Sequence, residues 1–393
     1  MRCAAALPPR GAPTSDWPRS ASASARARRR SSSGSAEGIA VGRMGAAPAP
    51  DPGHPPRSMR VLVTGATGFL GSHVARALAA KGATVRVLHR AASSTEPIDD
   101  MPVERVFGDI LEPSSLASAC RDVEVVVHCA AQMGRRRGLE ARLVSHVTGT
   151  RNMLAASVAA GVRRFVYTSS VAALGIPGHR PSASDAGVRP MDESTVWRGD
   201  PRGWPYGYAK HIAERLVRRA AKEGLAGVIL NPALVIGPGD RHVVSNVLIW
   251  HMLHGRTPPL VPGGLNVVDI ADVTDGYVAA LSRGRSGQRY ILCGENRTHA
   301  DLVRTTARLL GRRPPTLRLP LGPLRAAGIL ASIAMRALGL PFSPEMLRMA
   351  GLYFYYTGDK ARAELGLGPP RPYEPAAAAA AEWYRARRDR MTR

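Results

Sequence analysis

From residue 59 onward, apolar residues gather in short runs that alternate with stretches of helical spacing. Arg60–Thr64 (RVLVT) is a strand-length run ending in a Gly-rich turn, and Phe69–Ala80 repeats its apolar residues at helical spacing. Thr84–Leu88 reads as a second strand followed by a basic turn. Val103–Phe107 and Glu124–His128 read as further strands, with a helix around Ser114–Cys120 between them. Ala141–Ala160 reads as a helix, Arg164–Ser169 as a strand, Tyr206–Lys222 as a helix and Ala226–Leu230 as a strand. Such alternation predicts βαβ units and a parallel sheet, an α/β fold of the doubly wound kind. Val-rich runs such as Val125-Val126-Val127 fit strands covered on both faces.

Past Asn231 the alternation loosens. Asn266–Ile270 and Arg289–Leu292 are expected to rejoin the sheet. Helices near Asp301–Leu310, Leu324–Leu338 and Pro375–Arg388 are expected to form a smaller C-terminal, substrate-binding cap over the C-terminal strand ends, where ligands bind in open α/β sheets. The expected division is residues 59–240 for a nucleotide-binding domain and 241–393 mainly for the cap, with 266–292 returning to the sheet. Residues 1–58 have no hydrophobic period and carry nine Arg against three acids. That composition cannot offset its own ordering entropy, so disorder is expected. The segment lacks the apolar centre of a secretory signal. Its Arg- and Ser-rich, acid-poor make-up matches an organelle transit peptide, or else the start is assigned too early. The last alternative is preferred, because Met59 opens the first strand.

Composition narrows the field. The 393 residues are 45% apolar, enough for a packed core, and no run approaches the roughly 18 apolar residues of a membrane span. Four scattered cysteines (Cys3, Cys120, Cys129, Cys293) make no CxxC pair, which argues against a zinc ribbon or a disulfide scaffold. A cytoplasmic, reduced chain is the default. The formal net charge is +24, yet only Lys81, Lys210, Lys222 and Lys360 are lysines among 54 basic residues. Such an arginine skew is read as compositional, and no nucleic-acid partner is expected. Outside the first 58 residues no basic run exceeds Arg135-Arg136-Arg137. Leu321–Phe342 carries only Arg325 and Arg336 as charges; helix packing in the cap is preferred there over an apolar entrance or a peripheral membrane contact.

Gly65-Ala66-Thr67-Gly68-Phe69-Leu70-Gly71 is a GxxGxxG string between a strand and a helix. The first Gly permits the turn, the second lets backbone N–H groups approach a pyrophosphate, and the third lets helix and strand pack closely. The helix N-terminus adds partial positive charge. This is a Rossmann-type nucleotide site. After the second strand stands Leu88-His89-Arg90, with no acid until Glu96. Arg90 can pair with a 2′-phosphate that a carboxylate would repel, so NADP(H) is expected, with NAD the other candidate. Asp109, before Ile110, is a candidate for the adenine amine; an ordinary turn Asp is the alternative.

About 140 residues downstream, Tyr206 and Lys210 stand at i and i+4 on one helix face. A free tyrosine titrates near 10, too high for a good proton shuttle at neutral pH, and a neighbouring ammonium lowers that value. Lys210 can also bond the ribose hydroxyls of a nicotinamide nucleotide. Tyr167-Thr168-Ser169-Ser170 closes another strand, where a hydroxyl faces the crevice. Ser170 is the first candidate to orient a substrate oxygen, Ser169 the second. No metal is expected.

With these residues on the page, Met59–Arg388 resembles an extended short-chain dehydrogenase/reductase of the NAD-dependent epimerase/dehydratase group. The resemblance rests on Val63–Gly71, His128-Cys129-Ala130-Ala131, Gly149-Thr150-Arg151-Asn152, Thr168-Ser169-Ser170, Tyr206–Lys210 with Ala213-Glu214, and Asn231-Pro232 through Gly237-Pro238-Gly239-Asp240. It implies hydride transfer served by Ser170, Tyr206 and Lys210. It implies a cofactor held by Gly65, Thr67, Gly68, Phe69, Leu70, Gly71, Arg90, Asp109, Ile110, Ala130, Ala131, Tyr206, Lys210 and Pro232. Within the group the chain is most similar to dihydroflavonol-4-reductase-like proteins and hopanoid-associated sugar epimerases. Family members often pair through helices matching Ala141–Ala160 and Tyr206–Lys222, so a homodimer is implied.

Two departures stand out. His146 replaces the usual Asn ahead of Gly-Thr-x-Asn, and Asn231 precedes Pro232 where many sugar-nucleotide epimerases carry Arg. The expected function is an NADP(H)-dependent reductase or dehydrogenase acting on a fairly apolar small molecule. The alternatives are an epimerase or dehydratase using the same residues, and a non-catalytic NADP sensor.

Overall fold

The structure is a computed structural model, and it describes residues 59–131, 140, 143–178, 182, 184–323 and 349–387. β1 (Arg60–Thr64) leads through the glycine turn to α1 (Phe69–Ala80), β2 (Thr84–His89), β3 (Glu104–Phe107), α2 (Pro113–Cys120) and β4 (Val125–His128). A π-helical turn, Val144–Thr148, runs into α3 (Gly149–Ala159), then β5 (Arg164–Thr168), α4 (Pro205–Lys222) and β6 (Ala226–Pro232). Next come β7 (Leu234–Ile236), α5 (Val247–Leu253), β8 (Gly264–Asp269), α6 (Ile270–Arg283), β9 (Arg289–Leu292), β10 (Glu295–Thr298) and α7 (His299–Leu309). Beyond residue 349 lie β11 (Tyr353–Phe354), α8 (Asp359–Leu365) and α9 (Tyr373–Ala386).

Seven strands form a parallel sheet in the order β3-β2-β1-β4-β5-β6-β9. The strand order reverses between β1 and β4, which opens a crevice at their C-terminal ends. Alternation along each strand feeds two cores. Val61 and Val63 of β1 point into a cluster with Val74, Leu78 and Tyr277, whereas Leu62 points into the opposite one with Leu116, Met153, Phe165 and Val217. Arg86 interrupts the apolar run of β2, and its guanidinium donates to the carbonyls of Ala119 (3.0 Å) and Arg121 (2.6 Å) at the end of α2 while pairing with Glu104. A buried cation thus satisfies a helix C-terminus.

The second sheet holds β10, β8 and β11, with β7 also paired to β8. Here one sequence expectation is corrected. Arg289–Leu292 joins the large sheet as β9, pairing Ile229 with Arg289, but Asn266–Ile270 does not. The open edge of β6 is taken by β9, so β8 pairs instead with β7 (Val235 opposite Val268) and β10 (Asn266 opposite Asn296). The helix expected over Ala141–Ala160 is interrupted by the π turn before α3, with residues 141 and 142 outside the described residues. The final helix begins at Tyr373, two residues before the expected start. The expectations for residues 1–58, for Arg135–Arg137, for the Leu324–Leu338 helix and for most of Leu321–Phe342 likewise fall outside the described residues.

Candidate active site

The glycine turn is shaped by what its glycines exclude. Gly65 has φ +75°, and a Cβ there would lie 2.7 Å from Ala130 N. A Cβ on Gly71 would lie 2.2 Å from Gly65 O, so β1 and α1 close only around hydrogen. Gly68 caps α1, no side chain takes the leading N–H groups, and no acid stands in the first turn. Such a cradle has room and free donors for a phosphate. Thr67, Phe69 and Leu70 are half-buried around it, and Phe69 meets His73 edge-on at 5.6 Å. His73 Nε2 lies 2.9 Å from Pro238 O, which ties α1 to the loop after β7.

A buried chain stitches the ends of β1 and β4 beneath this cradle. Ala130 N donates to Thr64 Oγ1 (3.1 Å), Thr64 lies 2.8 Å from His128 Nδ1, and His128 Nε2 lies 3.4 Å from Thr150 Oγ1. Thr150 donates to the carbonyl of His146 at 2.6 Å, so it accepts from His128 Nε2–H, and Nδ1 accepts from Thr64. Burial draws the His128 pKa down to about 3, so the ring is neutral.

The remaining nucleotide candidates fall on the same crevice edge. Ala131 is half-buried beside Ala130. Asp109 Oδ1 accepts from Leu111 N (3.0 Å), the geometry of a turn Asp. Ile110 O accepts from Asn152 Nδ2 (2.9 Å), and the Ile110 side chain fills the space that a Cβ on Gly149 would need. Arg90 is exposed and makes no ion pair with a described residue. Pro232 ends β6 opposite Leu292.

Tyr206 and Lys210 lie one turn apart at the start of α4, with Pro205 at a first-turn position that needs no N–H donor. Lys210 is 2% exposed and donates to Thr168 O at 2.7 Å. Desolvation brings its pKa down to about 8. Ser170 opens a 3-10 turn, Val171–Leu174, and its half-buried Oγ accepts from Ala172 N at 3.2 Å. Ser169 is buried, donating to Glu214 Oε1 at 2.7 Å. Of the two serines, Ser170 is the one whose hydroxyl is not committed to a buried carboxylate.

Sequence reasoning did not single out the role of Glu214. It is fully buried one turn after Lys210 and takes Ser169, Asn231 Nδ2 (2.6 Å) and Arg218 (2.9 Å), with Arg289 at 3.5 Å. Its i+4 spacing from Lys210 was the available signal. Asn231 donates also to Ser170 O (2.8 Å), so its amide is turned toward the serine turn. His146 sits inside the π turn, buried, with its ring edge-on to Tyr206 at 5.6 Å. The helix break at this position is therefore present with His in place of Asn.

A model of the NAD dependent epimerase/dehydratase family matches residues 61–293. A dihydroflavonol 4-reductase-like protein of Synechocystis sp. is 33% identical over 332 residues, covering 82% of this chain and 94% of that one. Sterol demethylase protein B of Methylococcus capsulatus is 32% identical over 335 residues, covering 84% and 99%. Among solved structures, a nucleoside-diphosphate-sugar epimerase from Pseudomonas aeruginosa superposes with a TM-score of 0.68 at 29% identity, covering 84% of this chain and 98% of that one.

Proposed function

We propose, from the premise that this chain belongs to the NAD-dependent epimerase/dehydratase family, that it is an NADP(H)-dependent reductase or dehydrogenase acting on a hydroxyl or carbonyl of a fairly apolar small molecule. The observation that carries the reading is Tyr206 and Lys210 on the first turns of α4, with Lys210 buried beneath the crevice on Thr168 O. The cofactor fits the residues present, because Gly65 and Gly71 let the turn close on Ala130 and on α1, and no side chain caps or acid flanks the N-terminus of α1. Gly65, Gly68 and Gly71 would hold the pyrophosphate, Arg90 the 2′-phosphate, and Lys210 the nicotinamide ribose. When bound, that nucleotide supplies or takes the hydride.

The chain's own residues do the rest. Tyr206 gives its phenolic proton to the substrate oxygen in reduction and takes it back in oxidation. The Lys210 ammonium favours the phenolate and so eases that exchange. Ser170 donates to the same oxygen and orients it. General acid–base catalysis of this kind contributes about 10²–10⁴ in rate. Asn231 supports an apolar substrate over a sugar nucleotide, since its neutral amide is spent on Glu214 and Ser170 O and offers no cation to a diphosphate.

The test is a panel of a dihydroflavonol and an oxo-sterol, each with NADPH, and UDP-glucose with NADP+ or NAD+. Net NADPH oxidation with a carbonyl compound is expected. Conversion of the sugar nucleotide with the oxidised cofactor and no net change in its redox state would establish the epimerase reading, which the Pseudomonas structure favours. NADPH binding without turnover of any compound would favour the sensor.

A further inference from the structure

Ser170 and Tyr206 belong to different elements, which Lys210 on Thr168 O and Ser169 on Glu214 already join on the buried side of the crevice. Ser170 starts the 3-10 turn after β5, and Tyr206 lies in the first turn of α4. Trp204, the residue before Pro205, adds a further link. Its Nε1–H donates to Ala172 O at 2.9 Å, and Ala172 N in turn donates to Ser170 Oγ. Its own backbone N–H is held by Asp200 O at 3.1 Å.

Gly207 shows how tightly the indole is seated. A Cβ on Gly207 would lie 2.1 Å from Trp204 Nε1 and 2.3 Å from Ala172 O, in the middle of that hydrogen bond. The indole also stacks on Phe354, with ring centroids 5.9 Å apart and planes at 24°. Phe354 belongs to β11, in register with Leu265 of β8, so it is part of the second sheet.

We propose that Trp204 is a positioning residue that fixes the serine turn against the tyrosine helix and ties both to the second sheet through Phe354. The proposal rests on the roles given above to Ser170 and Tyr206. It adds a physical route by which the placement of the second sheet reaches the reacting oxygen, with no contact between that sheet and the substrate required.

Trp204→Phe keeps a ring for Phe354 and removes the donor to Ala172. Phe354→Leu keeps apolar bulk and removes the stack. Both are made in the full chain and assayed with NADPH and the carbonyl compound that the wild type reduces. A misplacement of about 1 Å costs on the order of 10²-fold in rate. Trp204→Phe is expected to lower kcat by about 10- to 100-fold, with the KM for NADPH within about twofold and thermal unfolding near wild type. Phe354→Leu should give a smaller loss of the same kind. A kcat within about twofold of wild type for Trp204→Phe overturns the proposal, as does a loss matched by an equal rise in the NADPH KM or an equal loss of folded protein. Crystal structures of the wild type and Trp204→Phe with NADPH bound decide the matter without turnover: a shifted serine turn supports it, and coincident Ser170 and Tyr206 positions overturn it. Absence of wild-type turnover across the panel counts against the functional reading alone.

Discussion

Desolvation at Lys210 acts on activity and stability in opposite directions. With its pKa drawn down to about 8, the ammonium proposed to assist Tyr206 is lost as the pH rises through that value. A plot of kcat/KM against pH, which reports the free enzyme, should therefore fall above about pH 8. A flat profile from pH 7 to 9 would remove Lys210 from the proton chemistry. In the unfolded chain the same group titrates near 10.5, so between about 8 and 10.5 the unfolded state binds more protons. Stability from this group is lowest below pH 8 and rises with pH across that window. Tyr206→Phe should abolish turnover yet leave the NADP dissociation constant within about twofold. Arg90→Ala should weaken NADP by roughly tenfold, the scale of one exposed charge-assisted contact, and leave NAD binding unchanged; equal effects on both would remove Arg90 from the 2′-phosphate. The Tyr206–Lys210 pair was legible in the sequence because i and i+4 neighbours are a local matter. The Glu214 group was not, since Ser169 follows β5, Asn231 lies in β6 and Arg289 in β9, and only the fold brings them to one carboxylate.

At the scale of elements, the strand–turn–helix start is the most exacting join. Gly71→Ala would drive a methyl into Gly65 O, at a cost of about 1–3 kcal/mol, typical of overpacking. Lost NADP binding and a lower Tm are expected together; wild-type values of both would mean the join yields easily. The α4–β5–β6–β9 contact turns on Glu214. Glu214→Ala would leave Arg289, whose side chain is 12% exposed, without its buried partner, and should cost about 3–5 kcal/mol, read as a loss in denaturant midpoint. Most elements could be read from the sequence within a few residues, because strand and helix periods are written locally. Which sheet β8 joins could not. Its apolar run suits either sheet, and the choice is made by β9 filling the edge of β6. The π turn was likewise hidden, since Val144–Thr148 contains no Gly or Pro to mark a break in the helix.

Across the whole molecule, the two sheets share one continuous stretch of chain. Only Ala233 separates the end of β6 in the large sheet from the start of β7 in the second. Asp240, just beyond, accepts from the backbone N–H groups of Val244, Ser245 and Asn246, and its own carbonyl takes the hydroxyl of Tyr384. The third apolar cluster then joins Ile236, Ile249 and Val267 to Tyr373, Ala376, Ala377, Ala380, Ala381 and Tyr384 of α9. Small residues on α9 let it lie close against its neighbours, and Arg297 anchors its first turn on Glu374 at 2.7 Å.

Among the described elements, that helix is also the last to be made. A ribosome releases β1 through β6 well before Tyr373 is added, so the glycine cradle and the Tyr206 helix can assemble while the second sheet still lacks one wall. The order of synthesis thus becomes an order of function: the protein should be able to hold nucleotide before it can enclose a substrate, and a ribosome stalled short of Tyr373 should carry a nascent chain that binds NADP and reduces nothing.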